Sequence, residues 1–483
     1  MKIFRKITIF TLLVIGCLAY VSTSHAQEIM LEDGARKPIV NDVTKLNPVT
    51  VERIVTPHHL LEIINAVKET KGPISIGGGR FSMGGQTASE GAVQIDMREF
   101  NKIISFSPQE KEITVESGVT WRQLQEFIDP HNLSVKIMQT YADFTVGGSL
   151  SVNVHGRYIG AGPVVLSVKR IGVVLANGAY VNATPREHAE IFYGAIGGYG
   201  GIGVIVDTTL ELADNVKVRR VSKVMSLTAY KNYFFKEIRD NPRAIFHNAD
   251  IYPGSYETVR ATTYEETDLA LTHLERLIPK QQNYWLDRTL INIISEAPGG
   301  KKFRQHVLDP IRFSDDRVSW RNHEASYSVL ELEPTSRRES TYVLQEYFVP
   351  VDKLNKFAFE LTKVLNDNHV NVINISIRHA RQDSGTLLAW ATQEVFAFVV
   401  YYKQGTGIED TEQVAVWTRQ LIDAALASGG RYYLPYQIHA TAEQFKAAYP
   451  GFKKFFALKK RVDPANKFRN KLLEKYYLSV VPP

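Results

Sequence analysis

The sequence predicts an α+β protein whose two halves differ in character, and three observations support this fold class. From residue 50 to 212, short strand and helix patterns follow each other closely, without the regular alternation of a doubly wound α/β fold. From residue 216 to 430, long strand-like stretches dominate, which favours an antiparallel sheet. The 483 residues, 44% of them hydrophobic, suffice for two to three domains of about 150 residues each.

Residues 1–26 have the pattern of a secretory signal peptide. Three basic residues precede an apolar run over residues 7–20, and small residues then lead to Ala26. We expect cleavage after Ala26 and export to the periplasm or the medium. Residues 14–17 (VIGC) resemble a bacterial lipobox, so a lipoprotein anchored through Cys17 is the alternative, and an uncleaved membrane anchor comes third.

The charge and the single cysteine exclude several classes of protein. The formal net charge is +6, and the leader carries three basic and no acidic residues, which leaves 6 − 3 = +3 for residues 27–483. No stripe of basic and aromatic residues follows, so we expect no nucleic-acid partner. Cys17 is the only cysteine, which excludes an intramolecular disulfide and a multi-thiolate metal site. We expect no bound metal, and membrane contact only through a lipidated Cys17 or an uncleaved leader.

The first half alternates helix and strand patterns over short distances. The helix patterns lie at residues 57–70, 120–128 and 190–195. The strand patterns lie at residues 74–76, 92–96, 112–117, 168–175, 179–182 and 204–210.

The second half contains longer strand patterns and two long helix patterns. The strands are predicted at residues 326–332, 341–348, 370–377 and 395–402, and the helices at residues 352–365 and 411–427. Gly429 and Gly430 are expected to end the second helix. The last fifty residues add a further helix pattern.

Three glycine-rich segments lie in the first half, at residues 77–86, 147–156 and 197–203. Glycines let several backbone N–H groups converge on one anion, so three such segments in one domain favour a phosphate-binding wall. Residues 198–203 match G-x-G-x-x-G literally. Because a helix pattern precedes them and a strand pattern follows, a Rossmann-type nucleotide site is not expected.

These segments together resemble the vanillyl-alcohol-oxidase (PCMH-type) family of FAD-binding flavoproteins. The resemblance rests on G-G-G-R-x-S-x-G-G-Q at 77–86, T-V-G-G-S with a later H-G at 145–156, G-G-x-G-G-I-G at 197–203 and D-P-x-x-x-F-x-N at 463–470. Two branches look most similar, the decaprenylphosphoryl-ribose oxidases through the H-G context and residues 429–433, and the alditol and aldonolactone oxidases through residues 376–378.

The resemblance implies an FAD-binding domain that is split by an inserted cap. Residues 27–215 and 431–483 are expected to form the FAD-binding domain, and residues 216–430 a substrate cap on an antiparallel sheet. The residues implied to contact the cofactor are Gly77, Gly78, Gly79, Arg80, Phe81, Ser82, Gln86, Gly147, Gly148, Ser149, Asn153, His155, Gly156, Gly198, Gly201, Ile202, Val204 and Asn470.

The resemblance also implies that FAD is bound without a covalent link. Many relatives attach FAD through a histidine at the position of Arg80, and arginine cannot form that bond. The second attachment used by some relatives needs a cysteine, and the expected mature chain has none.

Three residues are candidates for catalysis by this resemblance: Arg378, Tyr436 and His155. Arg378 is expected to stabilise developing negative charge, with an ion pair to Asp383 as the alternative. Tyr436 is a candidate proton acceptor or hydrogen-bond partner of the substrate, with core packing as the alternative. The alditol branch has a glutamate where this chain has Ser376, and the other branch has a lysine at Tyr436.

The expected activity is therefore that of an FAD-dependent oxidoreductase. It would oxidise a CH–OH group of a polyol- or sugar-like small molecule by hydride transfer to flavin N5, with oxygen or a carrier as electron acceptor. The alternatives are a flavin-dependent reductase of an activated double bond and a flavin- or ligand-binding protein without turnover.

Overall fold

The computed structural model describes residues 28–30 and 36–479. The leader, with Ala26 and Cys17, lies outside these residues, so its cleavage and lipidation stay predictions. Within the described part of the chain, no helix combines the length and the apolar character needed to cross a bilayer.

The described residues of the first half form twelve strands in three sheets. The strands are β1 (Glu28–Met30), β2 (Arg36–Val40), β3 (Val49–Thr50), β4 (Arg53–Val55), β5 (Ile74–Gly77), β6 (Val93–Asp96), β7 (Ile103–Ser107), β8 (Glu112–Glu116), β9 (Leu133–Val135), β10 (Val168–Val174), β11 (Tyr180–Ala183) and β12 (Val204–Asp214). An antiparallel sheet has the order β1-β2-β3, a parallel sheet β4-β6-β5, and a larger antiparallel sheet β11-β10-β12-β8-β7, with β9 on β12.

Four α-helices accompany these sheets in the part of the first half that the structure describes. They are α1 (Leu60–Glu69), α2 (Trp121–Ile128), α3 (Val146–Ser151) and α4 (Ala189–Ala195). The helices and strands predicted between residues 57 and 210 are confirmed, with bounds that differ by a few residues.

Local chemistry explains where α2 begins. The Thr120 hydroxyl accepts a hydrogen bond from the Gln123 backbone N–H, and the Gln123 side chain accepts one from the Thr120 N–H, which is a capping box. Trp121, Leu124 and Ile128 are buried on one face of the helix. The Trp121 indole N–H faces the Gln139 and Ser149 side-chain oxygens at 2.9 and 2.8 Å, which ties α2 to the second glycine-rich segment.

The second half is built on one eight-stranded sheet, as predicted. Its strands are β13 (Lys217–Ser226), β14 (Ala244–Ile251), β15 (Thr258–Glu266), β16 (Val318–Trp320), β17 (Ser340–Pro350), β18 (Asn371–Ala380), β19 (Val395–Gly405) and β20 (Arg431–Tyr432). All its pairings are antiparallel, in the order β16-β13-β15-β14-β18-β19-β17-β20.

The strand predicted at residues 326–332 is wrong. Its second part is a 3-10 turn, Val329–Leu332. The Asp143 carboxylate accepts a hydrogen bond from the Val329 N–H at 2.6 Å, and the Ser328 hydroxyl accepts one from Leu330. Because side chains satisfy these backbone groups locally, the segment needs no neighbouring strand.

Helices cover one face of the cap sheet, and the other face borders the first half except where Ile294 of a cap helix packs on Tyr342 and Tyr401. The cap helices are α5 (Leu227–Tyr233), α6 (Trp285–Glu296), α7 (Gly300–Phe303), α8 (Asp309–Arg312), α9 (Arg321–Glu324), α10 (Leu354–Asp367) and α11 (Ile408–Ala427). Phe357 of α10 packs on Tyr347 of β17 and Phe398 of β19. Since side chains alternate along a strand, Glu346 and Val399 lie on the opposite face.

The last fifty residues return to the first half, as the split arrangement requires. They form α12 (Ala442–Ala448), α13 (Phe452–Val462) and α14 (Lys471–Tyr476). Ile74 donates its backbone N–H to Lys467 at 2.7 Å, next to a bridge with Phe468. The buried Lys459 ammonium contacts the Asp463 carboxylate at 2.8 Å and the Gly201 carbonyl at 3.2 Å.

Candidate active site

A cleft of about 1630 Å³, measured out to its open mouth, separates the glycine-rich segments from the cap sheet. One wall is built from the first half and from the chain around Tyr433 to Tyr436, and the other from β17, β18 and β19. The predicted residues on its walls are Gly78, Gly79, Arg80, Phe81, Ser82, Gln86, Gly147, Gly148, His155, Arg378 and Tyr436.

The first glycine-rich segment presents a row of backbone donors to this cleft. Among the described residues, none accepts a hydrogen bond from the N–H groups of residues 79–82. A Cβ at Gly78 would lie 2.3 Å from the Thr145 hydroxyl oxygen, and a Cβ at Gly147 would lie 2.5 Å from Ser117 Cβ. The loops therefore meet at a distance that only glycine permits, and they leave a concave surface of free N–H groups suited to an anion.

Polar side-chain atoms without partners also line the cleft. Within the described chain, the Ser117 hydroxyl, the Thr140 hydroxyl, Arg80 Nε and Arg378 Nε are buried and have no hydrogen-bond partner. Buried polar groups in proteins are normally paired, so these atoms point to a polar ligand that the cleft is shaped to hold.

Arg80 brings positive charge to the glycine loop. Its backbone is left-handed, with φ of 59°, and its guanidinium contacts the Asp96 carboxylate at 3.0 Å. Arg98 contacts the same carboxylate at 2.6 Å. Burial lowers the pKa of Arg80 from its ordinary value, while Asp96 raises it. One carboxylate therefore faces two arginines, which leaves excess positive charge beside the free N–H groups.

Nine residues implied to contact the cofactor do not reach the cleft wall in this structure. They are Gly77, Ser149, Asn153, Gly156, Gly198, Gly201, Ile202, Val204 and Asn470.

Some of these nine residues hold parts of the wall or the domain junction in place. Asn470 donates to the Tyr199 carbonyl at 2.8 Å, and Tyr199 is on the wall. Asn153 donates to the Asp383 carboxylate at 2.8 Å, which joins the second glycine segment to the cap. In the third segment the wall is formed by Tyr199, Gly200 and Gly203, and Ile202 is in the core.

Gln86 positions the chain that carries Tyr436. Its amide N–H groups donate to the Leu434 and Tyr436 carbonyls at 2.8 and 2.7 Å. Its carbonyl accepts from the Gly84 N–H at 2.8 Å. The buried Gln86 therefore clamps the glycine loop to the C-terminal part of the chain.

Glu346 is the central residue of the cleft, and the sequence analysis missed it. Its carboxylate lies 2.5 Å from Nε2 of His155 and accepts a hydrogen bond from the Tyr436 hydroxyl at 3.1 Å. Its side chain is buried, yet it lines the cleft. The other nitrogen of His155 faces the Gly156 carbonyl at 3.2 Å, so both ring nitrogens are engaged.

Arg378 is the cation of this site. Among the described residues, its guanidinium forms neither an ion pair nor a hydrogen bond, so the alternative of an Asp383 pair is wrong. Asp383 instead accepts hydrogen bonds from Asn153 and from Thr386. Arg378 lies near Tyr436 and opposes the rise in the pKa of that phenol that burial causes. Because the Arg378 guanidinium has no partner among the described residues, its charge is available to a ligand.

Tyr436 is a hydrogen-bond donor in this environment. Burial raises the pKa of its phenol well above the usual value, and the Glu346 carboxylate raises it further. The predicted role of Tyr436 as a proton acceptor is therefore disfavoured. Its position on the cleft wall also speaks against simple core packing.

A second tyrosine and glutamate lie on the other side of Arg378. The Tyr141 hydroxyl, on the cleft wall, donates to the Glu331 carboxylate at 3.0 Å. Burial raises the pKa of Glu331 to about 7, against the opposing effects of Arg312 and of the Tyr141 hydrogen bond. Burial raises the pKa of the Tyr141 phenol well above its usual value, and the nearby Arg378 opposes this rise. The cation is thus flanked by two tyrosines, each bonded to its own glutamate.

The residues missed from the sequence carry a weak local signal. Tyr342, Leu344 and Glu346 alternate along one predicted strand, so the pattern placed them on one face. The local sequence pattern does not show that this face of the strand borders the cleft. Tyr141 and Glu331 lie in loops, where the periodicity of side chains is lost.

Sequence comparison identifies both halves of the chain. The FAD binding domain family matches residues 51–184, and the D-arabinono-1,4-lactone oxidase family matches residues 217–476. L-gulonolactone oxidase of Bos taurus is 22% identical over 427 residues, which are 86% of this chain and 92% of that protein. Decaprenylphosphoryl-beta-D-ribose oxidase of Mycolicibacterium smegmatis is 22% identical over 445 residues, covering 84% of this chain and 90% of that protein.

Structural comparison agrees with this fold. The His121Ala mutant of cholesterol oxidase from Brevibacterium sterolicum superimposes with a TM-score of 0.70 at 12% identity, covering 94% of this chain and 98% of that structure. The observed cleft fits FAD, because free N–H groups of residues 79–82 suit its phosphates and the orphaned Ser117 and Thr140 hydroxyls suit its polar rings.

Proposed function

We propose a substrate class and a proton acceptor for this chain, which belongs to the D-arabinono-1,4-lactone oxidase family and is an FAD-linked oxidoreductase acting on CH–OH groups. The substrate is a polyol- or sugar-like alcohol. The names of the two relatives described above support this class, since both contain a sugar-derived unit. The mixture of tyrosine, carboxylate and arginine on the cleft wall suits a ligand with several hydroxyl groups.

The glycine wall holds the cofactor in this proposal. The N–H groups of residues 79–82 bind the diphosphate, and the charge of Arg80 supports them. Gly147 and Gly148 allow the ring system to approach the backbone. When bound, FAD supplies the hydride acceptor.

Glu346 takes the proton of the substrate hydroxyl, and this step rests on the cluster of Glu346, His155, Tyr436 and Arg378. The contact with His155 holds the buried carboxylate in the cleft, where it can act as a general base. Tyr436 holds the second carboxylate oxygen, which fixes its orientation.

Arg378 stabilises negative charge that develops on the substrate oxygen. Its guanidinium has no protein partner among the described residues, so no ion pair must break before it acts.

The aromatic rings of Phe348, Trp390 and Tyr433 pack on His155 and keep water from the side of the imidazole that faces away from Glu346.

FAD is held without a covalent bond. Arg80 cannot form the histidyl link, and its guanidinium is engaged with Asp96. Acid precipitation of the purified protein is expected to release all of the flavin into the supernatant. Flavin that stays with the pellet would contradict this part of the proposal.

The proposal also covers the location of the mature protein and the identity of its electron acceptor. The leader supports cleavage after Ala26 and a periplasmic or secreted enzyme, which N-terminal sequencing of the cell-fractionated protein tests. Oxygen or a carrier accepts the electrons.

One experiment reads substrate and acceptor together. The yellow protein is mixed anaerobically with polyols, sugars, aldonolactones and hydroxy acids, and bleaching of the flavin band is followed before oxygen is admitted. We expect bleaching with a polyol or sugar-like alcohol. Bleaching only by non-carbohydrate alcohols would refute the substrate class, and recovery of colour under oxygen would identify an oxidase.

A further inference from the structure

Two helical arms of the cap stand together on its surface as a helical hairpin. The first arm is α6, and the second runs from α7 through a π-helical turn (Arg304–Leu308) into α8. A Cβ at Gly300 would lie 2.3 Å from the Ile293 carbonyl oxygen, so the arms join in close contact. We name residues 285–312 the cap hairpin.

The cap hairpin turns apolar side chains outward. On the first arm Trp285 and Leu286 are 61% and 63% exposed, and Ile293 follows Leu286 by two turns. On the second arm Phe303, Val307 and Ile311 are all exposed. Their spacing of four residues places them in one row along the helix.

Both arms bury part of their apolar surface, with Ile294 and Leu308 packed against the cap sheet, and they expose a second apolar row where an ordinary surface helix has polar residues. Exposed apolar surface that is contiguous and flanked by charged residues marks an interaction site. Single exposed apolar residues elsewhere, such as Phe359 and Ile408, have no such neighbours in a row.

The charge around the cap hairpin selects the kind of partner. Residues 285–312 contain five basic and three acidic residues, a net charge of 5 − 3 = +2. Lys302 is exposed beside Phe303, the acidic Asp309 is buried, and the exposed Glu296 is paired with Lys403. The surface therefore combines apolar rows with a local positive charge.

The hairpin also borders the mouth of the cleft. Arg288 on the first arm donates to the Leu330 carbonyl at 3.0 Å. Leu330 is itself an exposed apolar residue, and its neighbours Val329 and Leu332 line the cleft. The apolar surface thus continues from the hairpin to the entrance.

We propose that the cap hairpin docks on the surface of an anionic lipid bilayer. Interfacial helices combine an apolar face with lysine and arginine, and tryptophan favours the headgroup region, as at Trp285. The positive charge favours anionic over neutral lipid. Docking in this way turns the cleft mouth toward the bilayer, and it does not depend on the identity of the substrate.

The test is co-sedimentation of the FAD-loaded mature chain, residues 27–483 without the apolar leader, with lipid vesicles. The vesicles contain phosphatidylcholine alone or phosphatidylcholine mixed with phosphatidylglycerol. We expect stronger binding to the mixed vesicles, weakened by salt. The double variant Phe303→Ser and Ile311→Ser should lower the partition coefficient about tenfold or more. Lys302→Glu should remove the preference for anionic lipid.

A matched control substitutes apolar residues of the same two types outside the hairpin, Phe359→Ser with Ile408→Ser, which are even more exposed than Phe303 and Ile311. It should bind vesicles like the parent chain, and unchanged flavin content shows that both double variants are folded. Equal binding of parent and hairpin variant overturns the proposal, as does binding without regard to lipid charge. Loss of a self-associated species in the hairpin variant, without vesicle binding by the parent, assigns the surface instead to a second copy of the chain.

Discussion

Glu346 and Ser376 lie in the same row of the cap sheet, because each is the register partner of Val399 on the strand between them. They share a face, and Arg378 lies on that face two residues beyond Ser376. Position 376 on β18 is a serine and carries no carboxylate. Glu346 supplies a carboxylate from β17, which β19 separates from β18. The carboxylate reaches the cleft beside the same arginine.

Glu346→Gln should lower the rate of flavin reduction by substrate by about 10²- to 10⁴-fold, because the amide cannot accept the hydroxyl proton. Anaerobic stopped-flow absorbance measures this step alone. Ser376→Ala is the matched control in the same row, and we expect a change within about twofold since Ser376 is not on the cleft wall. A fast Glu346→Gln enzyme would exclude Glu346 as the proton acceptor.

Tyr436→Phe should have a modest effect, a loss of about threefold to tenfold in kcat. The phenol donates one hydrogen bond to Glu346 and stays protonated at neutral pH, since burial raises its pKa. The alkaline side of the kcat profile should keep its shape. If the Tyr436→Phe variant lost the alkaline limb of the kcat profile and showed a much larger loss in kcat, Tyr436 would be restored as the base.

Arg378→Ala should reduce kcat/KM by about 10²- to 10³-fold, the usual cost of removing one group that stabilises an oxyanion. Added guanidinium at low concentration should restore part of the activity. Arg381→Ala removes the same charge at an exposed position outside the cleft, and we expect it to behave like the parent enzyme. Equal losses in the two variants would show a general effect of charge.

Gly147→Ala should weaken FAD binding by about tenfold or more. The added Cβ would lie 2.5 Å from Ser117 Cβ and 3.0 Å from its carbonyl oxygen, so two backbone segments must separate. The ratio of flavin to protein absorbance after dialysis measures this. Gly72→Ala meets no atom within 4 Å and should keep its flavin. Full flavin content in Gly147→Ala would mean that the loops tolerate displacement.

Glu331→Gln should flatten the pH dependence of stability between about pH 4.5 and 7. Burial raises the folded-state pKa of Glu331 to about 7, above its unfolded value. Its contribution to stability is therefore complete below the unfolded pKa and is lost as the pH rises to 7. The parent should lose on the order of 2 kcal/mol relative to the variant over this range. Urea unfolding at both ends measures it, and parallel curves would contradict the raised pKa.

The local pattern of the chain located the elements that it predicted, with one exception, and it left several others unassigned, among them β7, β9 and β13 to β15. The elements that it located between residues 57 and 210 each bury one face of their own, which periodicity can show. At residues 326–332 the apolar residues suggested a strand. Asp143 and Ser328 instead satisfy the backbone, and the partner Asp143 lies far away in the chain. A local pattern contains no information about such a distant partner.

The sequence by itself predicted the glycine wall and the antiparallel cap, because glycine chemistry and side-chain periodicity are local properties, and its resemblance to a flavoprotein family supplied the candidates Arg378, His155 and Tyr436. Only the tertiary structure decided that Glu346 joins them. Its position depends on which strands become neighbours and in which register, and on the helices that cover the opposite face of the sheet. A carboxylate on a different strand can therefore reach the part of the cleft that a carboxylate at position 376 would reach. The spacing of residues along the chain does not reveal such a replacement.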